Sequence, residues 1–321
     1  MYEKIVVVTR RTRLEELIER FNTRAQAQFY IEHSGGDFSD YDREHTAYHL
    51  ALSKLKDLSK IGLKVQFIAR EFLANFIFTD SDLIVAIGQD GLVANVAKYA
   101  NGQPIVGINP DPTRFDGILV PFVADEATTA VQAVIEEKAA VRTVTMAQAD
   151  LGDGQRLLAF NDLFIGARTH VSARYSIEYM GRSERHSSSG IIVSTGAGST
   201  GWLSSVFNMA SGIAAFTGHE TIAPARMSWE DARLMFVVRE PFVSKHSSAG
   251  IVAGTVGNGE ELVLQSLMPS GGVIFSDGIE KDFLEFNSGA VATVRIAAQQ
   301  ARLAVPGRGI ARAQLRSATG R

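Results

Sequence analysis

Apolar residues along this chain first gather into short unbroken runs. Residues 5–8, 83–87 and 105–108 are continuous and mostly β-branched or leucine, the composition of strands covered on both faces, and residues 65–68, interrupted by Gln66, read as a further strand. Residues 29–31 read as one more strand. Between the runs, Leu14, Leu17, Ile18 and Phe21 recur at helical spacing, as do Leu50, Leu52, Leu55 and Leu58, and later Val93, Val96, Ala97 and Ala100. Strands alternating with helices predict an α/β N-terminal domain, a parallel sheet with helices on both faces. A helical stretch over 128–140 reads as a connector, and beyond it the texture changes. Val171, Ala173, Tyr175, Ile177 and Tyr179 alternate with Ser172, Arg174, Ser176 and Glu178, the period of a half-buried strand. Turn signals at 257–259, 270–272, 276–278 and 287–289 then cut short β-rich runs. The pattern predicts an α/β domain over 1–125, a β-rich C-terminal domain over 126–305, and a flexible basic tail over 306–321 carrying Arg308, Arg312, Arg316 and Arg321.

Composition narrows the classes without choosing one. The 321 residues are 45% hydrophobic and 21% charged, ordinary for a protein that buries a large core. A formal charge of −3 gives no general attraction to nucleic acid or to an anionic membrane. Neither partner is expected. Cysteine is absent, which removes disulfides, thiolate metal sites and cysteine nucleophiles. With no secretory or membrane-spanning run, the expectation is a soluble, cytoplasmic protein.

Three stretches carry candidate chemistry. The buried run at 83–87 ends in Gly88-Gln89-Asp90-Gly91, with a helical pattern starting at once. Ligands of parallel sheets bind beyond the carboxyl ends of the strands. Glycines let phosphate approach the backbone, and a helix N-terminus favours an anion. A carboxylate repels phosphate, so Asp90 has a different task, either holding a metal ion or accepting the proton of an attacking hydroxyl. Next, Asn161-Asp162 follows an apolar run and offers amide and carboxylate groups for ribose or adenine. Finally, Thr195, Gly196, Gly198, Ser199, Thr200 and Gly201 form a hydroxyl-rich glycine loop before a helical pattern beginning at Trp202. Gly196, Gly198 and Gly201 also satisfy G-x-G-x-x-G, with Glu220 roughly 20 positions on, so hydride transfer is an alternative. Two further patterns read as structure. Ser34-Gly35-Gly36-Asp37 lies in a polar loop with no helix following at once. His45 and His49 share a helix face but have no third ligand in view, and no metal ligand is assigned.

Gly88-Gln89-Asp90-Gly91, Asn161-Asp162, the loop Thr195-Gly196-Ala197-Gly198-Ser199-Thr200 and Ser276-Asp277-Gly278 occur in this order. Together they resemble the NAD kinase family, within the wider diacylglycerol kinase-like superfamily. The resemblance covers roughly residues 80–300. It implies transfer of phosphate from ATP to the 2′-hydroxyl of the NAD adenosine ribose, with Mg²⁺ accompanying the donor. Asp90 is then the catalytic residue. Gly88, Gly91, Asn161, Asp162, Thr195, Gly198, Ser199, Thr200, Gly201, Trp202, Ser205 and Asp277 line the nucleotide sites. A homo-oligomer is implied in the same way. Gln89, Leu92 and Ser189 depart from the family's glycine, threonine and aspartate, and Ser188-Ser189-Gly190 with Gly201-Trp202 resembles the divergent, mitochondrial-type branch. These departures leave two other functions open: a kinase for a lipid or sphingoid base, or a non-catalytic NAD or NADP sensor.

Overall fold

The computed structural model describes residues 1–307, so the four tail arginines lie outside the described residues. The chain divides into two compact units. Unit 1 comprises residues 1–142 and returns at residue 302, and unit 2 comprises residues 143–301.

Unit 1 contains β1 (Lys4–Thr9), α1 (Arg13–Phe21), α2 (Arg24–His33), α3 (Phe38–Lys54), β2 (Lys64–Ala69), β3 (Asp82–Ile87), α4 (Asp90–Tyr99), β4 (Pro104–Asn109), β5 (Phe122–Val123) and α5 (Ala127–Ile135). Its strands run β2-β1-β3-β4, all parallel, with Val8 opposite Ala86 and Val85 opposite Val106. The continuous apolar runs have their predicted cause: β3 and β4 are buried at every residue. Ile5, Val7, Leu83, Val85, Val106 and Ile108 pack against Tyr48 and Ala51 of α3, Leu55 and Leu58 just beyond it, and Ala127, Ala130, Val131 and Val134 of α5. Each such aliphatic side chain contributes about 1.5–3 kcal/mol by leaving water.

Two local expectations are corrected here. Residues 29–31 belong to α2, not to a strand. Thr23 caps that helix by accepting the Gln26 N–H, Ala27 and Ile31 bury one turn apart, and Phe29 and Tyr30 face solvent. Three apolar residues carry too little periodicity to separate the two structures. Likewise, Ser34-Gly35-Gly36-Asp37 is followed at once by a helix, because Asp37 is the N-cap of α3 and accepts the Ser39 N–H at 2.9 Å.

Unit 2 holds β6 (Ala140–Leu151, entered from unit 1), β7 (Arg156–Ala159), β8 (Asp162–Ala167), β9 (Ala173–Tyr179), β10 (Arg182–Ser188), β11 (Ile191–Ser194), α6 (Trp202–Phe216), β12 (Arg233–Val238), β13 (Ala253–Gly257), β14 (Leu262–Ser266), β15 (Gly272–Ser276), β16 (Ile279–Glu285) and β17 (Val291–Val305, whose last residues belong to unit 1). One sheet runs β13-β12-β11-β8-β15-β16, and β10-β9-β14-β17 form a second run with β6 beside β17 and β7 beside β6. Inward residues of both, among them Leu163, Ile165, Tyr175, Ile177, Leu234, Phe236, Leu264 and Ile274, fill one core. β9 shows the predicted alternation from Ala173 on, and Val171 lies outside it. The architecture is thus a mixed α/β N-terminal region and a β-rich C-terminal region, as the pattern predicts. No helix among the described residues is long and apolar enough to cross a membrane.

Candidate functional site

In unit 1 the parallel strand β3 ends at Ile87, the chain turns through Gly88 and Gln89, and Asp90 is the first residue of α4. The turn is fixed by the Gly88 N–H, which donates to Ile108 O at 3.0 Å. Asp90 is half-buried, and its carboxylate accepts the backbone N–H of Leu119 at 2.8 Å and of Ile118 at 3.2 Å. It therefore ties the segment after β4 to the glycine turn, while each oxygen keeps a further lone pair. Gly91 is exposed, and a Cβ there would meet nothing within 4 Å. That space is open to a ligand. At Gly88 a Cβ would lie 3.0 Å from Leu92 Cδ2, so that leucine packs a methyl against the turn.

Arg10 is a residue that sequence reasoning missed. β1 lies beside β3, so Arg10, just past the end of β1, comes alongside Gly88; a Cβ on Gly88 would be 3.5 Å from both Cδ and Nε of the arginine. Its backbone N–H donates to Tyr48 Oη, and its guanidinium donates to Glu44 Oε1 and to Arg11 O, each at 2.8–2.9 Å. Nε is buried without a partner. The available signal was a basic residue at the carboxyl end of a parallel strand, but the sequence does not say which strand lies next to which.

In unit 2 the other nominated residues converge through backbone contacts. Thr195 follows β11, and its Oγ1 donates to Phe160 O at 2.6 Å and Asn161 O at 3.1 Å. The Thr195 N–H donates to Asn161 O, and the Gly198 N–H donates to Thr195 Oγ1. From the other side, Asp277 sits in the two-residue Asp-Gly turn joining β15 to β16, both residues at positive φ, as the tightest hairpins require. Its carboxylate accepts the N–H groups of Phe160, Asn161 and Asp162. The Asn161-Asp162 turn is thus gripped on both sides. Asp162 is buried, and that burial, reinforced by the neighbouring charge of Asp277, pushes its pKa up to about 7.

The glycines of the hydroxyl loop differ from Gly91. A Cβ on Gly196 would come within 1.8 Å of Ser228 O, and one on Gly198 within 2.1 Å of Asn161 O. Ser199 is buried, its Oγ donating to Gly196 O at 2.8 Å. Thr200, Gly201 and Ser205 are exposed, and Ser205 Oγ donates to Gly201 O at 3.4 Å. β11 is antiparallel to both neighbours, and residues 213–216 before Glu220 are helical. The βαβ unit that G-x-G-x-x-G requires is missing, so the hydride-transfer alternative loses its basis. Trp202 opens α6, stacks on Phe164 at 5.7 Å between ring centroids and carries Arg239 over its face. With Phe275, Phe283, Arg168 and Glu280 they line a hollow of about 240 Å³, an aromatic bed with two guanidinium groups and a carboxylate around it that suits a planar, polar ligand.

No protein-family model matches the chain. It is similar to the NAD kinase of Chlorobaculum tepidum (28% identity over 127 residues, 38% of this chain and 43% of that protein). The NAD kinase of Halorubrum lacusprofundi is 32% identical over 128 residues, again 38% of this chain and 46% of that protein. The chain therefore spans less than half the length of the curated relatives it matches. Two solved structures share the fold along nearly all of it. One is an NAD kinase from Archaeoglobus fulgidus in complex with ATP, with TM-score 0.54 and 16% identity over 98% of this chain and 99% of the other. The other is yeast NADH kinase complexed with NADH, with TM-score 0.55 and 14% identity over 100% of this chain and 89% of the other. The fold is NAD-kinase-like.

Proposed function

We propose that this protein is a kinase that transfers the terminal phosphate of ATP to the 2′-hydroxyl of the adenosine ribose of NAD, giving NADP and ADP. The observation carrying this reading is the position of Asp90, at the start of a helix, at the carboxyl end of a parallel strand, and beside a glycine with open space. The stretch of similarity to NAD kinases and the common fold support it. Asp90 accepts the hydroxyl proton as that oxygen attacks phosphorus. The N-terminal end of α4 and the Arg10 guanidinium, partly buried and paired with Glu44, give the phosphates a positive surround. Asn161 and Asp162, held by Thr195 and Asp277, bind the dinucleotide. With its elevated pKa, Asp162 donates a hydrogen bond when protonated and accepts one when ionised.

Mg²⁺ fits this donor set as a companion of ATP rather than as a resident ion. Among the described residues no trio of His, Asp or Glu ligand atoms includes Asp90, and Mg²⁺ commonly takes one or two carboxylates with the remainder from phosphates and water. The ATP phosphates and water would hold it, leaving Asp90 to accept the proton, and the ion would neutralise charge on the transferred group.

One observation favours a second reading, the NAD or NADP sensor: Leu92 presents a methyl to Gly88 where a hydroxyl would serve the donor. A panel of hydroxyl acceptors (NAD, NADH, a sphingoid base and diacylglycerol) with Mg²⁺-ATP, read as ADP release, separates these readings. NAD-dependent ADP and NADP formation is expected. Tight NAD binding with no turnover would replace the kinase by the sensor, and turnover only with a lipid would replace the acceptor.

A further inference from the structure

The sequence pairs His45 with His49 on one face of a helix and offers no third ligand, but the fold supplies one. Glu15, 30 residues earlier in the chain, projects from α1 onto that face of α3, and its Oε1 lies 3.0 Å from His49 Nε2. One ligand atom from each of Glu15, His45 and His49 falls within 4.8 Å of the others, and among the described residues this is the one such group. The two imidazole rings stand edge-on with centroids 4.3 Å apart.

We propose that Glu15, His45 and His49 form a binding site for a divalent transition-metal ion, with Zn²⁺ the ion of choice. The site clamps α1 to α3 and is separate from the Mg²⁺ that accompanies ATP.

Three observations carry it. First, the donor set is two imidazole nitrogens and one carboxylate oxygen, a combination that suits zinc and its late first-row neighbours and disfavours Mg²⁺, which takes oxygen. Second, two ligands are already held by a buried outer-shell residue. The Thr12 N–H donates to Glu15 Oε2 at 2.7 Å, and Thr12 Oγ1 lies 2.9 Å from His45 Nδ1. Such contacts orient ligating carboxylates and imidazoles. Third, access is open. The side chains of His49 and Glu15 are 44% and 34% exposed, which leaves room for water in the remaining coordination positions. Closing the trio to zinc-ligand spacing needs only side-chain rotation, because His45 and His49 stand one turn apart on a rigid helix.

The location gives the clamp a consequence. Glu44 is adjacent to His45 on α3 and receives both Arg10 and Arg13. Fixing α3 to the start of α1 thus steadies the segment that seats Arg10 beside Gly88.

The test uses the full-length chain stripped of metal by chelator, titrated with ZnCl₂ in a calorimeter and with CoCl₂ in a visible spectrophotometer. The proposal predicts one ion per chain, cobalt ligand-field bands of a nitrogen- and oxygen-ligated site, and a zinc-dependent rise in melting temperature. His49 is exposed and meets the core only at the edge of the Tyr48 ring, so His49→Ala should retain the fold by circular dichroism; it should weaken zinc affinity about tenfold or more and abolish the rise. Glu15→Gln, which keeps the cap on α1, should do the same. Absence of zinc binding to the stripped wild-type chain would overturn the proposal. So would wild-type zinc affinity in both His49→Ala and Glu15→Gln. Neither readout depends on kinase activity, so the site stands or falls apart from the proposed function.

Discussion

Gly91 and Gly196 lie in two similar-looking glycine-containing stretches, each where a strand hands over to a helical segment: Gly91 is the second residue of α4, and Gly196 follows β11 just before a helical turn. Their surroundings differ completely. A methyl on Gly91 would project into open space, whereas one on Gly196 would strike the carbonyl of Ser228. The first glycine leaves room for something outside the chain, and the second leaves room for the chain itself. The carboxylates repeat the contrast. Asp90 is half-exposed beside its open glycine, while Asp162 is buried in a turn gripped by Thr195 and Asp277. Glycine-rich sequence therefore marks close approach in both units, and only the fold tells which partner approaches.

The largest effect that would break this contrast is at Gly196. Gly196→Ala should cost about 4 kcal/mol or more, because backbone must move to admit the methyl, and urea denaturation measures it. A near-neutral result would mean the loop is not packed as described. Second is the pH dependence of Asp162. Its folded pKa of about 7 lies above the unfolded value of 3.8, so the folded state binds the extra proton between those values. The stability it contributes is complete below about pH 4 and is lost as pH rises through about 7, on the order of 4 kcal/mol in all. Melting temperature between pH 5 and 8 should fall less in Asp162→Asn than in wild type.

Smaller effects belong to unit 1. Hydrogen bonds from Arg114, then Arg13, hold the Asp40 carboxyl down at about 2. This depressed pKa contributes stability above about pH 4 that is lost as pH falls toward 2. Because the side chain is 36% exposed, Asp40→Asn should cost about 1 kcal/mol or less at neutral pH by the same denaturation assay. Smallest is Gly91→Ala, expected within about 0.5 kcal/mol of wild type in stability while reducing turnover, since the methyl enters ligand space rather than the protein.

Much of the frame was legible before any coordinates. Residues 5–8, 83–87 and 105–108 form strands because parallel strands covered on both faces must be apolar at every position. The Asp277-Gly278 hairpin followed from turn chemistry alone. What escaped were facts about neighbours. Residues 29–31 look like a strand until Thr23 caps a helix and Ala27 joins Ile31 on its buried side. Arg10 reaches Gly88 only because β1 pairs with β3, and Glu15 meets His49 only because α1 lies on α3. Periodicity reports which face of an element is buried, not what it is buried against.

The account rests on Asp90 handling the hydroxyl while the remaining residues bind, so the decisive measurement is NADP formation by Asp90→Asn beside wild type, with NAD affinity measured calorimetrically on the same samples. The prediction is a fall in kcat of about 10²–10⁴-fold with NAD affinity nearly unchanged and the fold intact by circular dichroism. Wild-type kcat in the Asp90→Asn protein would contradict it.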